Sequence, residues 1–143
     1  GCDFVYASEN ARFALTEVTL GIMPGAAGTQ LLPRAVGLRR AKEIILTGTP
    51  FDAAQAEAWG MVNRLCAPDT LLEQALETAA KIAGNAPISV RQAKKAVTAS
   101  TQMDFKNGYD FEIEAYNRTV GTEDRHEGIN AFNEKRKPVY KGR

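Results

Sequence analysis

The spacing of apolar and polar positions divides this chain into two parts near residue 67. Strand-like and helical spacing alternate in the first part, and only helical spacing is present in the second. Before that point, β-forming runs at residues 2–7 and 61–66 flank helical spacing across 28–47 and 53–59. Pro33 and Gly37 predict two helices, or one bent helix, within the longer stretch. Because strands that alternate with helices pair side by side, residues 1–66 are predicted to form an α/β unit with a mixed or parallel sheet.

Residues 67–143 show helical periodicity only. Pro87 is predicted in the first turn of the second helix, and Asp104 and Thr122 as N-caps of the third and fourth. The fourth helix is predicted to continue to residue 137, where Pro138 ends it. The predicted apolar stripes comprise Leu72, Ala75, Leu76, Ala79 and Ile82 on the first helix, Val90, Ala93 and Val97 on the second, and Phe105, Tyr109, Ile113, Tyr116 and Val120 on the third. The stripe of the second helix is predicted to face inward.

The main candidate for chemistry is Glu17, which begins the stretch E-V-T-L-G-I-M-P-G-A-A-G-T-Q. The glycines allow close backbone approach to a ligand, and the proline restricts the loop. A helix is predicted to begin at Gly28, which would bring free N–H groups near the carboxylate. For an arbitrary glutamate, a solvated surface position or a cap would be the better interpretation.

This segment resembles the second catalytic-glutamate segment of the enoyl-CoA hydratase (crotonase) family, and the resemblance continues through residues 46–48, 53–62, 122–128 and 131–138. It implies the C-terminal part of a crotonase-like ββα spiral at 1–66, followed by a helical trimerisation region at 67–143. It also implies an N-terminal half of the same protein as a partner, and assembly into a homotrimer or hexamer.

The resemblance implies hydration of the 2,3 double bond of an acyl-CoA thioester, with two glutamates and an oxyanion hole formed by two backbone N–H groups. Glu17 matches the second glutamate, and Gly25 matches the position whose N–H lies by the catalytic water. Pro24, Phe132 and Lys135 match positions that bind acyl-CoA. No cofactor or metal is expected. The first glutamate and both oxyanion donors would precede Gly1. Residues 1–143 are therefore expected to hold half an active site.

The same residues permit other interpretations. Phe132 could be a core residue, and Lys135 could balance a helix dipole. An enoyl-CoA isomerase of the superfamily can keep an acid at the Glu17 position alone, and an inactive fragment is a further alternative. Ala27 stands where many members have glycine, and alanine reaches positive φ only with strain, which puts an identical loop geometry in doubt.

Composition narrows the classes of function. The 143 residues carry a net charge of +1 without a basic cluster, which argues against nucleic-acid binding, although one family relative binds AU-rich RNA. No apolar run approaches a membrane span. Cys2 and Cys66 form neither a disulfide framework nor a metal-ligand pattern, and His126 is interpreted as a surface residue. We expect a fragment or processed chain, since residue 1 is not Met, and a cytoplasmic location, or the mitochondrial matrix in a eukaryote.

Overall fold

A computed structural model describes residues 2–143, which form two compact units. The first unit ends at Leu76 and the second begins at Glu77, so the division falls inside one helix. The predicted boundary at 66/67 refers to the end of the family's spiral core and stays a prediction. No helix within residues 2–143 combines the length and the apolar character needed to cross a bilayer.

Short strands and helices alternate in the first unit, as the periodicity predicts. In chain order the elements are β1 (Tyr6–Ser8), β2 (Arg12–Phe13), a 3-10 helix (Glu17–Leu20), α1 (Gly28–Val36), α2 (Leu38–Thr47), β3 (Phe51–Asp52), α3 (Ala53–Ala58) and β4 (Arg64–Cys66). β1 pairs with β4 in parallel and β2 pairs with β3 antiparallel, in two separate two-stranded sheets, so the described residues do not form the single mixed or parallel sheet that the alternation predicts. The predicted break near Gly37 is present, and Pro33 lies within α1.

Strands β1 and β4 are shorter than the strands predicted at residues 2–7 and 61–66, and Asn63 provides the reason. Its side-chain oxygen accepts the N–H of Val5 at 2.8 Å, and its own N–H donates to the Val5 carbonyl at 2.8 Å. A side chain thus takes the place of a ladder partner, and regular pairing begins only at Tyr6 opposite Arg64.

The core of the first unit lies between the strands and the helices that follow them. Its buried members are Ala7, Leu32, Ala41, Ile44, Phe51, Ala56 and Val62. The Phe51 ring lies between Phe13 at 5.6 Å and Trp59 at 5.1 Å, measured between ring centroids. Trp59 therefore belongs to the packing of this unit, as expected for a large aromatic residue.

The remaining helices are α4 (Leu71–Ala83), which begins before the division, and α5 (Pro87–Ala99), α6 (Phe105–Val120) and α7 (Glu123–Asn133). The predicted caps are confirmed. Pro87 occupies the first turn of α5, Asp104 accepts the N–H of Asn107, and the Thr122 hydroxyl accepts the N–H of Arg125. Asp52 likewise caps α3, because Asp52 and Gln55 form a reciprocal capping box.

The inward direction predicted for the α5 stripe is wrong at Ala93 and Val97, which are exposed, whereas Val90 is half-buried. The stripes of α4 and α6 are also largely exposed. Leu72 is 70% exposed, Val97 71% and Phe105 89%. Helices α5 and α6 contact each other. Their positions that are buried or half-buried are Pro87, Ile88, Val90, Gln92, Ala96 and Ala99 on α5, and Gly108, Phe111, Ala115, Thr119 and Val120 on α6. Most of the large apolar stripe residues, among them Val97, Phe105 and Tyr116, are exposed instead.

The end of the fourth helix also differs from the prediction, because α7 ends at Asn133 rather than at residue 137. Lys135 adopts the left-handed conformation with φ +54°. Its N–H donates to the Phe132 carbonyl, and the N–H of Arg136 donates to the Ala131 carbonyl at 3.0 Å. These two bonds form a Schellman motif, which satisfies the last carbonyls and directs the chain away from the helix axis.

Residues 137–143, which we call the strap, run back along α7. The carboxylate of Asp124, only 2% exposed, accepts the N–H of Lys141 at 2.6 Å and that of Gly142 at 2.8 Å. Tyr140 lies against Gly128, where its hydroxyl would be 3.2 Å from an added Cβ. A buried carboxylate that accepts two backbone N–H groups therefore holds the strap on the helix.

We predict that Asp124→Asn lowers the free energy of unfolding by about 1–3 kcal/mol, because the amide cannot accept both N–H groups and leaves one buried donor unpaired. Urea unfolding measures the change. Glu123→Gln is the matched control, since its carboxylate makes an exposed pair with Arg143 at 3.1 Å, and a change within about 0.5 kcal/mol is expected there. Equal effects of the two variants would contradict a special role for Asp124.

Candidate active site

Glu17 is the first residue of the 3-10 helix that precedes the glycine-rich loop. The N–H of Thr19 donates to the Thr16 carbonyl at 2.9 Å, and the N–H of Ile22 donates to the Glu17 carbonyl at 3.2 Å. Gly21, with φ +75°, ends the turn. The backbone of Glu17 is thus fixed on both sides by local hydrogen bonds.

The C-terminal end of α2 packs directly against this turn. Gly48 has φ +65°, and a Cβ built on it would lie 2.9 Å from the Thr19 methyl group and 3.7 Å from the Val18 side chain. A glycine is therefore required for two reasons, its left-handed backbone and the space that a side chain would fill. This contact fixes the 3-10 helix relative to α2.

The loop between the 3-10 helix and α1 is held at one point and open at another. Pro24 is buried, and a Cβ on Gly28 would lie 3.1 Å from the Pro24 ring and 3.0 Å from the Leu15 side chain. Gly25 is exposed, and no described atom lies within 4 Å of the position that its Cβ would take. Protein packing uses the small size of Gly28, whereas the small size of Gly25 leaves open space beside the loop.

Ala27 has a backbone conformation that is unusual for a residue with a side chain. It adopts φ +62° and ψ 10°, the left-handed conformation that glycine takes easily, and α1 begins immediately after it. This conformation costs about 1–2 kcal/mol for a residue with a Cβ. The strain is compatible with a loop whose path is determined by its contacts rather than by local preference.

The Glu17 carboxylate has one oxygen in an unusual environment. Its Oε2 is buried, and no group among residues 2–143 donates a hydrogen bond to it. Surface acids are solvated, and capping acids accept backbone N–H groups, so neither alternative interpretation of Glu17 describes this oxygen. Buried carboxylate oxygens need a donor, and a water molecule or a ligand group can supply one.

Large apolar side chains follow this acid along the chain. Leu20, Ile22 and Met23 are 74%, 62% and 65% exposed. Sequence reasoning concentrated on the glycines and missed these residues, although the alternation of Ile22 and Met23 with glycine and proline was a usable signal. A hydrocarbon group would find apolar contacts on this loop, close in sequence to Glu17, Pro24 and Gly25.

Phe132 and Lys135 belong to the second unit. Phe132 is 83% exposed and borders an open depression of about 360 Å³ that Asp124, Gly128 and Tyr140 also line. Its exposure contradicts the alternative of a core position. Lys135 is exposed and lies beyond the end of α7, so it is not the last-turn residue that the dipole interpretation required.

Comparison with known proteins identifies the lineage of the chain. The family model described as enoyl-CoA hydratase/isomerase matches residues 1–143. The chain belongs to the enoyl-CoA hydratase/isomerase family. It is 46% identical to the 2,3-dehydroadipyl-CoA hydratase of Escherichia coli over 142 residues, which are 99% of this chain and 56% of that protein. It is 44% identical to a short-chain-enoyl-CoA hydratase of Clostridioides difficile, covering 92% of this chain and 84% of that protein.

Solved structures agree with this membership. An enoyl-CoA hydratase from Bacillus anthracis superposes with a TM-score of 0.98 at 48% identity, over 99% of this chain and 55% of that chain. The fold is therefore a mixed α/β arrangement, mostly helical, of the kind that crotonase-like proteins share. The chain spans about half the length of most family members named in these matches.

For this family member we predict that Gly48→Ala lowers the free energy of unfolding by at least about 1 kcal/mol, because the new Cβ meets Thr19 and strains a left-handed residue. Thermal or urea unfolding measures the effect. Gly25→Ala is the matched control in the same region, and it should change stability by less than about 0.5 kcal/mol because its Cβ enters open space. A harmless Gly48→Ala would show that the contact does not hold the turn.

Proposed function

We propose that the protein is an enoyl-CoA hydratase in which Glu17 is one of two acid–base glutamates. Glu17 would hold the attacking water together with the partner glutamate, and one of the two would return a proton to the α-carbon of the thioester. The N–H of Gly25 would orient the same water. The observation that carries this proposal is the buried Oε2 of Glu17, which lacks a protein donor, on the loop of an enoyl-CoA hydratase/isomerase family member.

The oxyanion hole and the partner glutamate are proposed to come from an N-terminal half of the same protein. Two observations support this proposal. The chain matches only about half the length of most of its relatives, and the loop after Glu17, residues 21–28, contains no second acid. Charge that develops on the thioester oxygen needs preorganised donors, and this role would fall to the N-terminal half. If residues 1–143 alone hydrated crotonyl-CoA, this division of the site would be wrong.

The substrate is proposed to be an acyl-CoA, with no cofactor required. Pro24 would line the acyl path beside the exposed Ile22 and Met23, and Phe132 and Lys135 would contact the coenzyme A portion. An exposed phenyl ring suits stacking on an adenine or packing on the pantetheine chain. The exposed ammonium of Lys135 suits a phosphate.

Isomerisation of the double bond is the alternative within the same family, and one relative from Mycosarcoma maydis is named an enoyl-CoA isomerase/hydratase. Both reactions use an acid at the Glu17 position, so these residues support either one. Assays with crotonyl-CoA and with a 3-enoyl-CoA distinguish them, because only hydration consumes the conjugated thioester and forms a 3-hydroxy product. Binding of RNA receives no support from the charge distribution, and steeply salt-dependent RNA binding would contradict this view.

We predict that Glu17→Gln in the complete protein lowers kcat for crotonyl-CoA by at least about a hundredfold, because the amide cannot exchange protons with water or substrate. Loss of the enoyl-thioester absorbance measures turnover, and titration with coenzyme A checks that binding is retained. Glu9→Gln, which changes an exposed acid near β1, is the control and should be active. Near-normal turnover of the Glu17 variant would remove this residue from the mechanism.

We also propose a homotrimer, or a hexamer formed by two trimers. Support comes from the exposed stripe of α6, where Phe105, Tyr109 and Tyr116 are 89%, 53% and 59% exposed. Contiguous apolar surface of this kind is typical of an interface. A cytoplasmic location, or a mitochondrial one in a eukaryote, is proposed with it and accords with two free cysteines.

We predict that Phe105→Lys weakens the assembly of the complete protein, because it replaces the most exposed aromatic residue of the apolar stripe with a charge. Sedimentation velocity at micromolar concentration should show a trimer or hexamer for the natural sequence and smaller species for the variant. Glu114→Lys, on another face of α6, is the control and should assemble normally. A monomeric natural protein would contradict the proposal.

A further inference from the structure

The basic residues after α7 differ from one another in what they contact. Arg136 is paired twice, with Glu127 through Nη1 at 2.6 Å and Nη2 at 2.9 Å, and with Glu134 through Nε. Lys135 is exposed and forms no ion pair with a described residue. The guanidinium is therefore engaged within the protein, while the neighbouring ammonium is available to an anion.

The backbone at Lys135 is held in a conformation that lysine rarely adopts. Its φ of +54° is part of the Schellman motif, and this motif requires the N–H of Arg136 to point back at the Ala131 carbonyl. Left-handed residues with a Cβ persist only where the surroundings hold them. The residue that follows must therefore be fixed, and the pair of Arg136 with Glu127 fixes it.

Glu127 connects three parts of this region. It lies on α7, its Oε1 and Oε2 accept the two guanidinium nitrogens of Arg136, and Oε1 also accepts the N–H of Val139 at 2.8 Å. The side chain of Glu127 is 23% exposed, which makes it the less exposed partner of the pair. One carboxylate thus joins the helix, the turn that contains Lys135 and the strap.

We propose that Glu127 is a positioning residue for phosphate recognition, which acts through Arg136 to hold Lys135 at the coenzyme A phosphates. The inference rests on the proposed function, since it takes the substrate to be a coenzyme A thioester. Glu127 itself does not touch the ligand. The bidentate ion pair of Glu127 with Arg136 restricts the turn, so the side chain of Lys135 projects from the backbone in a defined direction.

The protonation state of Glu127 is compatible with this role. The hydrogen bonds from Arg136 and Val139 hold the pKa of Glu127 at about 2, below the ordinary value of 4.5. A carboxyl with a lowered pKa stabilises the fold above its ordinary pKa, and that contribution is lost only as the pH falls towards 2. Both members of the pair are therefore charged throughout the neutral range where enzyme assays are run.

If the charge of Glu127 is removed, a purely electrostatic effect and a positioning role predict changes of opposite sign in the affinity for phosphate. Glu127 carries a negative charge near a site for phosphates, so removing that charge should strengthen phosphate binding if only the field mattered. If Glu127 positions Lys135, the same change should weaken binding. The sign of one measured change therefore separates the two explanations.

The test uses the complete protein as the natural sequence, Glu127→Gln, Lys135→Gln and the double variant. Calorimetric titration with free coenzyme A gives Kd, and turnover of crotonyl-CoA and crotonyl-pantetheine gives KM and kcat. We expect Glu127→Gln to raise Kd and the KM for crotonyl-CoA by roughly threefold to fivefold. We expect kcat, and the KM for crotonyl-pantetheine, which lacks the phosphates, to be unchanged.

Two further variants keep the test decisive. Glu123→Gln removes one charge from the same helix without touching Arg136, and it should leave Kd unchanged or slightly lower. Arg136→Lys keeps the charge but loses the bidentate geometry, so it should raise Kd as Glu127→Gln does, and it serves if Glu127→Gln folds poorly. In the double variant, Glu127→Gln should add nothing to Lys135→Gln, because both act through one contact.

A Kd that falls or does not change in Glu127→Gln would overturn the inference, as would full additivity with Lys135→Gln or an equal loss with crotonyl-pantetheine. A natural protein that binds coenzyme A but hydrates nothing would refute the proposed function alone, and the Kd comparison would still decide the role of Glu127. A natural protein that does not bind coenzyme A would refute both.

Discussion

The arrangement of the first unit depends on one close approach, between the C-terminal end of α2 and the turn that bears Glu17. Gly48 makes it possible, because any side chain at this left-handed position would enter the space of the Thr19 methyl group. The loop that follows this turn passes through Pro24 to Gly28. At Gly28, the first residue of α1, the chain makes a second close approach, to the Leu15 side chain. Two glycines thus fix both ends of the candidate catalytic loop to the core.

Much of this could be predicted from the sequence, because it depends on local chemistry. Asp52, Asp104 and Thr122 accept N–H groups three residues ahead, and such caps act within one turn. Glu17 could be singled out because the loop that follows it resembles the second catalytic-glutamate segment of the enoyl-CoA hydratase family. The parallel pairing of β1 with β4 agrees with the alternation of short strands and helices, whereas the antiparallel pair of β2 and β3 did not follow from it.

What the sequence did not predict depends on neighbours that periodicity does not specify. An apolar stripe shows that a helix face needs a partner, but it does not show which partner, and most stripe residues of α4–α6 are exposed. The end of α7 was misplaced because Lys135 is a poor choice for a left-handed position on local preference alone. The contact of Arg136 with Glu127, nine residues away, overrides that preference.

Ala27 and Lys135 are the two described residues other than glycine with positive φ. Ala27 precedes α1 in the loop of Glu17, and Lys135 follows α7 in the turn before the strap. In each case glycine would relieve the strain, yet at Lys135 it would also remove the exposed ammonium that is proposed to bind a phosphate. Under the proposed function, the strain at Lys135 is the cost of presenting a cation from a turn, and the pair of Arg136 with Glu127 helps to maintain it. At Ala27 no such charge is at stake, and the contacts of Pro24 and Gly28 determine the path of the loop instead.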